Sequence, residues 1–194
     1  MSNEPLRKPP LLILTIGHST RLLEEFIALL KAHGVKQLVD VRTIPRSRHN
    51  PQFNRDTLST KLRNARIGYR HIKGLGGLRH PRKNSPNTAW RNAGFRGFAD
   101  YMQTTEFADN LQSLIELAKK KPLAIMCAEA VPWRCHRSLI SDALTVRGVA
   151  VEHITNRTTR HAHKLTPFAH VDGIRIVYPA ESTPDLPSLP DALQ

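Results

Sequence analysis

The sequence predicts an α/β fold, a Rossmann-like three-layer domain with a mainly parallel central sheet and a basic, loop-rich insertion. Short apolar runs alternate along the chain with segments of helical periodicity. The runs are apolar at consecutive positions, as expected of strands covered by helices on both faces. A hydrophobic content of 40% over 194 residues suits one globular core. We expect a flexible tail at 1–10, a single α/β domain at 11–178 and a Pro-rich tail at 179–194.

The first predicted unit is strand, helix, strand. Residues 11–16 form an apolar run, and a helix is expected from about Arg21, capped by Ser19 or Thr20 and stopped at Gly34. Residues 35–41 form the next apolar run. A short βαβ unit of this kind implies a parallel pair of strands joined by a right-handed crossover.

The middle of the chain is dense in Arg, Asn, Ser and Pro and predicts the insertion. Within it we expect a helix at 56–65, a short strand at 69–72 and a Gly-rich turn at 74–77. A basic loop follows, then a helix at 95–102. A clearer helix, capped by Thr105, runs through Ala118, with apolar residues at helical spacing on one face.

The last part returns to alternation. Residues 123–127 predict a central strand, 135–147 a helix that Gly148 stops, and 149–154 the last core strand. One further short strand is expected at 173–178.

Charge and cysteine usage restrict the function classes. The formal net charge is +13, which favours anionic partners, either a small molecule or nucleic acid. No apolar run is long enough to cross a membrane, and no signal peptide is recognisable, so we expect a cytoplasmic protein without membrane contact. The two cysteines are then expected to be reduced thiols. The sequence carries no indication of oligomeric state.

Polar residues follow each predicted parallel strand, at the edge where ligands bind in open α/β sheets. Cys127, Glu129, Cys135, His136 and Asp40 are the candidate catalytic residues, because a thiol, an imidazole and a carboxylate suit nucleophilic or acid–base chemistry. The candidate anion-binding residues are His18, Ser19, Arg42, Arg134 and Arg137. The start of a helix near Cys135 would add a positive dipole end and unpaired amides.

Simpler structural roles compete with these assignments. Cys127 ends an apolar strand, where a free cysteine often acts as a small hydrophobe. Asp40 suits pairing with a buried arginine, and Ser19 suits a helix cap better than a nucleophile.

The order of these motifs resembles the domain-of-unknown-function family 488, from about residue 12 to residue 154. The motifs that carry the resemblance are Thr15-Ile16-Gly17-His18-Ser19, Leu38-Val39-Asp40-Val41-Arg42 with Pro45-Arg46-Ser47, Leu75-Gly76-Gly77, Cys127-Ala128-Glu129 and Cys135-His136-Arg137. The family brings no established reaction. The resemblance implies a cytoplasmic prokaryotic α/β protein whose signature residues are those at the strand ends.

Three functional hypotheses follow, and the sequence leaves open whether there is turnover. The first is an enzyme acting on a phosphate-bearing substrate, such as a nucleotide or a nucleic-acid end. The second is a non-catalytic nucleic-acid binder, with Tyr69, Trp90 and Phe95 available for stacking. The third is a small metal- or redox-dependent regulator. Cys127, Cys135 and His136 could supply three metal ligands, with His18 or Glu129 as a fourth. No cofactor or metal is assigned, however, because the spacing C-x7-C-H matches no common zinc pattern.

Overall fold

The centre of the molecule is a six-stranded sheet in a computed structural model that describes residues 10–180. Five strands are parallel and the edge strand β6 is antiparallel, in the order β3-β2-β4-β1-β5-β6. The fold is therefore the predicted mixed α/β fold with a mostly parallel sheet. Its strands are β1 (Leu12–Gly17), β2 (Gln37–Asp40), β3 (Gly68–His71), β4 (Leu123–Cys127), β5 (Ala150–Ile154) and β6 (Arg160–Ala162).

Helices cover both faces of this sheet, which gives three layers. The helices are α1 (Leu23–Ala32), α2 (Arg55–Asn64), α3 (Ala93–Tyr101), α4 (Thr105–Lys120) and α5 (Arg137–Thr145). One core holds α1 and α2 against the sheet, and the other holds α3, α4 and α5. Alternate strand residues enter alternate cores, so Ile125 and Cys127 of β4 face α5 while Met126 faces α1.

The adjacent strands β1 and β4 lie at the middle of the sheet. Their register pairs Gly17 with Cys127, so both strands end at the same level. After β1 the chain crosses toward one edge of the sheet to form β2, and after β4 it crosses toward the opposite edge to form β5. Crossovers that diverge in this way open a crevice at the carboxyl ends of the strands.

The start of α1 differs from the prediction. The helix begins at Leu23, its N-cap is Leu22, and no side chain caps it. Ser19 takes a positive φ of 49°, and its amide bonds to the Ala128 carbonyl at 2.8 Å. The expected cap by Ser19 or Thr20 is therefore wrong, because Ser19 belongs to the turn that ties β1 to the loop after β4.

Two other local predictions needed correction. Thr104, not Thr105, caps α4 by accepting a hydrogen bond from the Phe107 amide. The strand expected at 173–178 is β8 (Arg175–Val177), which pairs with an unpredicted strand, β7 (His170–Asp172). β6 was also not predicted, and its three residues are all exposed, so they carry no apolar pattern.

The basic insertion is held by buried contacts. Phe53, Leu58 and Leu62 are fully buried against α1. Asp100 accepts hydrogen bonds from the Arg82 amide, the Ser85 hydroxyl and the Asn87 side chain. The expected tails lie largely outside the described residues. Among residues 10–180, no helix is both long and apolar enough to cross a membrane.

Candidate functional site

A cavity of about 340 Å³ opens at the carboxyl ends of the central strands. Its walls come from the segments that follow β2 and β4, from the glycine turn before α3, and from the start of α3. The residues that line it are Arg42, Thr43, Ile44, Arg46, Gly77, Leu78, Asn92, Gly94, Phe95, Cys127, Ala128, Glu129, Arg134, Cys135 and His136. The edge of the sheet predicted to carry the site therefore does carry a cavity.

Two thiols and an imidazole meet on one wall of this cavity. Nδ1 of His136 lies 3.8 Å from Sγ of Cys127 and 3.8 Å from Sγ of Cys135. Nε2 of His136 lies 3.0 Å from the Val41 carbonyl oxygen. A carbonyl oxygen only accepts, so Nε2 carries a proton, and in the neutral form of the ring the Nδ1 lone pair is directed toward the two sulfur atoms.

Local structure explains why these residues meet. Cys127 is the last residue of β4 and faces α5. Residues 128–134 then turn back through a short 3₁₀ helix, Pro132–Arg134, and the Cys135 amide bonds to the Pro132 carbonyl at 3.0 Å. His136 is the N-cap of α5.

The two buried thiols influence each other's protonation. The Cys127 thiol, as hydrogen-bond donor, holds the pKa of Cys135 well below its usual range, and His136 and Arg137 act in the same direction. The interaction with Cys135, followed by burial, raises the pKa of Cys127. One proton shared between the two sulfur atoms is the state that these directions favour.

The Arg137 guanidinium lies behind the sulfur atoms and does not line the cavity. Its side chain donates to Thr15 Oγ1 at 3.0 Å and to the Glu129 carbonyl, while its Nε has no hydrogen-bond partner among the described residues. The residue is 1% exposed. Within residues 10–180, no carboxylate lies within 4 Å of it. Arg137 therefore anchors the 128–131 loop to β1 and leaves a buried positive charge beside the thiols.

The start of α5 is partly satisfied by the chain before it. The Ser138 amide bonds to the Cys135 carbonyl at 2.9 Å, and the Leu139 amide to the His136 carbonyl at 3.1 Å. These amides are not available to a ligand in this arrangement, so the helix dipole is weaker support for an anion site than the sequence indicated.

Asp40 and Arg42 form a buried ion pair. Nε of Arg42 donates to Oδ1 of Asp40 at 2.9 Å, and Nη2 donates to Oδ2 at 2.6 Å and to the Phe53 carbonyl at 2.8 Å. The Tyr69 hydroxyl donates to Oδ2 at 2.8 Å, and burial raises the pKa of that hydroxyl. Asp40 is fully buried and does not line the cavity, whereas Arg42 does.

His18 supports this ion pair from the β1 side. Its ring stacks on Phe53 at a centroid distance of 4.3 Å. Nδ1 donates to the Ser19 carbonyl at 2.8 Å, so Nε2 is the acceptor that faces Arg42 Nη1 at 3.3 Å. Burial lowers the pKa of His18 to about 4. Neither His18 nor Ser19 lines the cavity.

Three charged side chains lie at the mouth of the cavity. Arg46, Arg134 and Glu129 are exposed and line it. Over the described part of the chain, neither arginine has a carboxylate within 4 Å. Glu129 is the one acidic residue among those that line the cavity.

Gly77 is a site residue whose role the sequence did not reveal. A Cβ built on it would lie 2.5 Å from Nδ1 of His136, so only glycine lets the turn approach the imidazole this closely. The Leu75-Gly76-Gly77 motif was the available signal, although it predicted only a tight turn. Thr43 is another residue of the cavity wall that the sequence did not single out. Its hydroxyl accepts a hydrogen bond from the Leu78 amide at 3.0 Å.

One comparison with known proteins identifies the family. A family model described as Domain of unknown function DUF488 matches residues 22–144, more than half of the 194-residue chain. The chain belongs to the DUF488 family. The match includes Asp40, Arg42 and the whole thiol–imidazole cluster of this DUF488 protein. Neither the curated proteins nor the solved structures gave a match.

Proposed function

We propose that this DUF488 protein is an enzyme whose cavity binds a small phosphate-bearing substrate that also carries an apolar ring, such as a nucleotide or a nucleic-acid end. The observation that carries the proposal is that one cavity joins two arginines to a thiol–imidazole cluster. Neither arginine has a carboxylate within 4 Å in the part of the chain that the structure describes. Cationic side chains at the mouth and a reactive group on the wall are a combination expected of an enzyme site.

Arg46 and Arg134 are the side chains best placed to bind the phosphate. Both are exposed at the mouth of the cavity, and a guanidinium pairs with phosphate through two parallel hydrogen bonds. The net charge of +13 would concentrate anions near the protein. Arg42 and Arg137 support the walls instead, because protein oxygen atoms take most of their hydrogen bonds.

Apolar side chains offer a place for the ring. Ile44 is 59% exposed and Leu78 is 70% exposed, and both line the cavity with Phe95. Exposed apolar groups around a concave site favour a ligand with an apolar part of its own.

Glu129 is the candidate to exchange a proton with the substrate. Its carboxylate is exposed in the cavity, whereas Nδ1 of His136 faces the thiols and Nε2 is held by Val41.

A cytoplasmic location would suit this proposal, because the reducing conditions there keep thiols free.

The test is the affinity of the protein for nucleoside monophosphates by calorimetry. Replacing both Arg46 and Arg134 with Ala should weaken binding at least tenfold, since each hydrogen bond to a charged group contributes about 1.5–3 kcal/mol. Arg157→Ala, at an exposed position outside the cavity, is the control and should bind like the wild type. Equal affinities in all three proteins would refute this assignment.

The nucleic-acid-binding alternative has less support. Trp90 packs against Phe95 at 4.8 Å and against Phe168 at 4.9 Å, and the Tyr69 hydroxyl binds Asp40. Trp90 and Tyr69 are engaged within the protein, and Phe95 lines the cavity, so stacking along a nucleic-acid strand would have to use other residues. Binding of single-stranded DNA that falls steeply with salt would favour this alternative.

A further inference from the structure

We propose that Cys127, Cys135 and His136 bind a divalent metal ion of the zinc class, with a fourth coordination position open to the cavity. The inference deepens the proposed function, on which it rests for the identity of the group that takes the open position. The metal would be a Lewis acid for an oxygen atom of the substrate.

The distances among the donor atoms suit a tetrahedral site. In such a site a sulfur and a nitrogen ligand lie about 3.6 Å apart, given metal bonds of about 2.3 and 2.1 Å. Here both Sγ-to-Nδ1 distances are 3.8 Å, and all three donor atoms lie within 4.8 Å of one another. Small side-chain shifts would bring them to one metal ion.

The imidazole is held in the form that a metal needs. The Val41 carbonyl accepts the Nε2 proton at 3.0 Å and leaves Nδ1 free to coordinate. A ligating histidine usually donates its other ring proton to a carbonyl or carboxylate, which fixes the ring and its tautomer. Gly77 keeps the space beside Nδ1 free of a side chain.

The number of ligands points to a reactive rather than a structural site. Among the described residues, the group of possible ligands contains these three side chains and no fourth. Neither His18 nor Glu129, the fourth ligands considered from the sequence, belongs to it. Structural zinc sites have four protein ligands, whereas catalytic sites have three and leave one position for water or substrate.

The charges around the cluster favour an anion at the open position. Two thiolates and a divalent cation sum to zero, and the buried Arg137 adds one positive charge without a carboxylate within 4 Å in residues 10–180. A phosphate oxygen on the metal would offset that charge. Arg46 and Arg134 at the mouth would hold the rest of the phosphate.

The experiment uses Co²⁺ as a spectroscopic probe on the full chain under reducing conditions. We expect one Co²⁺ per chain, with the charge-transfer bands of thiolate ligands and the visible bands of a tetrahedral ion. Cys127→Ser, Cys135→Ser and His136→Ala should each weaken Co²⁺ binding by more than about a hundredfold, beyond the effect of losing an outer partner. His161→Ala, which replaces an exposed histidine outside the cluster, should bind like the wild type.

The outcomes separate this inference from the proposed function. Absence of Co²⁺ uptake, a spectrum without thiolate bands, or equal binding by the cluster variants and the wild type would overturn the metal site. Formation of a Cys127–Cys135 disulfide without metal uptake by the reduced protein would overturn it as well. Thiolate bands that do not change on addition of a nucleoside monophosphate would support the metal site and count against the proposed function.

Discussion

His18 illustrates how a residue at the edge of a cavity can act without touching a ligand. The ring is 2% exposed and lies between Phe53 and the Arg42 guanidinium. Its neutral form accepts a hydrogen bond from Arg42, and a protonated ring would instead face a cation. The arrangement therefore selects the neutral imidazole, and it explains why a histidine predicted to bind an anion is better suited to support Arg42.

The charge preference of His18 predicts the pH dependence of stability. Burial lowers its pKa to about 4 in the folded protein, against about 6.5 in an unfolded chain. The positive charge of Arg42 acts in the same direction, and the hydrogen bond to the Ser19 carbonyl and the charge of Asp40 oppose it. The unfolded state binds more protons between these values, so the stabilisation is complete above pH 6.5 and is lost as pH falls toward 4. One such group contributes at most about 1.4 kcal/mol per pH unit.

Urea unfolding at pH 7 and pH 5 tests this expectation. The free energy of unfolding should fall between the two values in the wild type and should fall less in His18→Gln, which cannot take up the proton. Burial also lowers the pKa of His153 to about 4. Because His153 is present in both proteins, its contribution cancels when the two decreases are compared. The same decrease in both proteins would contradict the account of His18.

At the scale of elements, a chain of hydrogen bonds joins α5 to the two strands beneath it. Arg137 donates to the Thr15 hydroxyl of β1 at 3.0 Å, and this hydroxyl bonds to Nδ1 of His153 of β5 at 2.8 Å. Nε2 of His153 bonds to Nδ1 of His163 at 3.1 Å, and Nε2 of His163 bonds to the Asp142 carboxylate of α5 at 2.8 Å. The Asp142 carboxylate only accepts, so with neutral rings at His163 and His153 each imidazole donates toward Asp142 and the Thr15 hydroxyl donates to His153. The chain thus holds the start of α5, and with it the thiol–imidazole cluster, against the sheet.

Replacing Thr15 with Val should break this chain while preserving the shape of the side chain. Arg137 Nη1 and His153 Nδ1 would each lose a buried partner, and an unsatisfied buried group costs about 1–3 kcal/mol. We expect the free energy of unfolding to fall by about 2 kcal/mol or more, measured by urea denaturation. Thr15→Ser keeps the hydroxyl and should lose clearly less. If Ser and Val cost the same, the hydroxyl does not carry the connection.

At the scale of the whole molecule, the sequence was sufficient for the parallel sheet and for placing the candidate residues at one edge of it, but it left open whether Cys127 and Cys135 approach each other. The apolar runs mark the central strands, and residues that follow parallel strands share one edge. Pairing of Asp40 with a buried arginine was one of the expectations, whereas the burial of Arg137 could not be inferred, because its partners Thr15 and Glu129 come from other segments. Close approach across a turn, as at Gly77, likewise leaves no periodic signal.

The remaining differences have local causes. β6 and β7, the strands that were not predicted, have three residues each, so the alternation that marks a strand has no length in which to develop. The positive φ of Ser19 depends on the bond of its amide to Ala128, and no cap signal in the sequence reveals that contact.

The central claim is that the two thiols and the imidazole form one metal site that is open to an anionic ligand. X-ray absorption of the zinc-loaded protein tests it most directly. We expect two sulfur atoms at about 2.3 Å and one imidazole nitrogen at about 2.0–2.1 Å from the metal, with one oxygen from water or, after addition, from a nucleoside monophosphate. A first shell of oxygen and nitrogen atoms without sulfur would contradict the account.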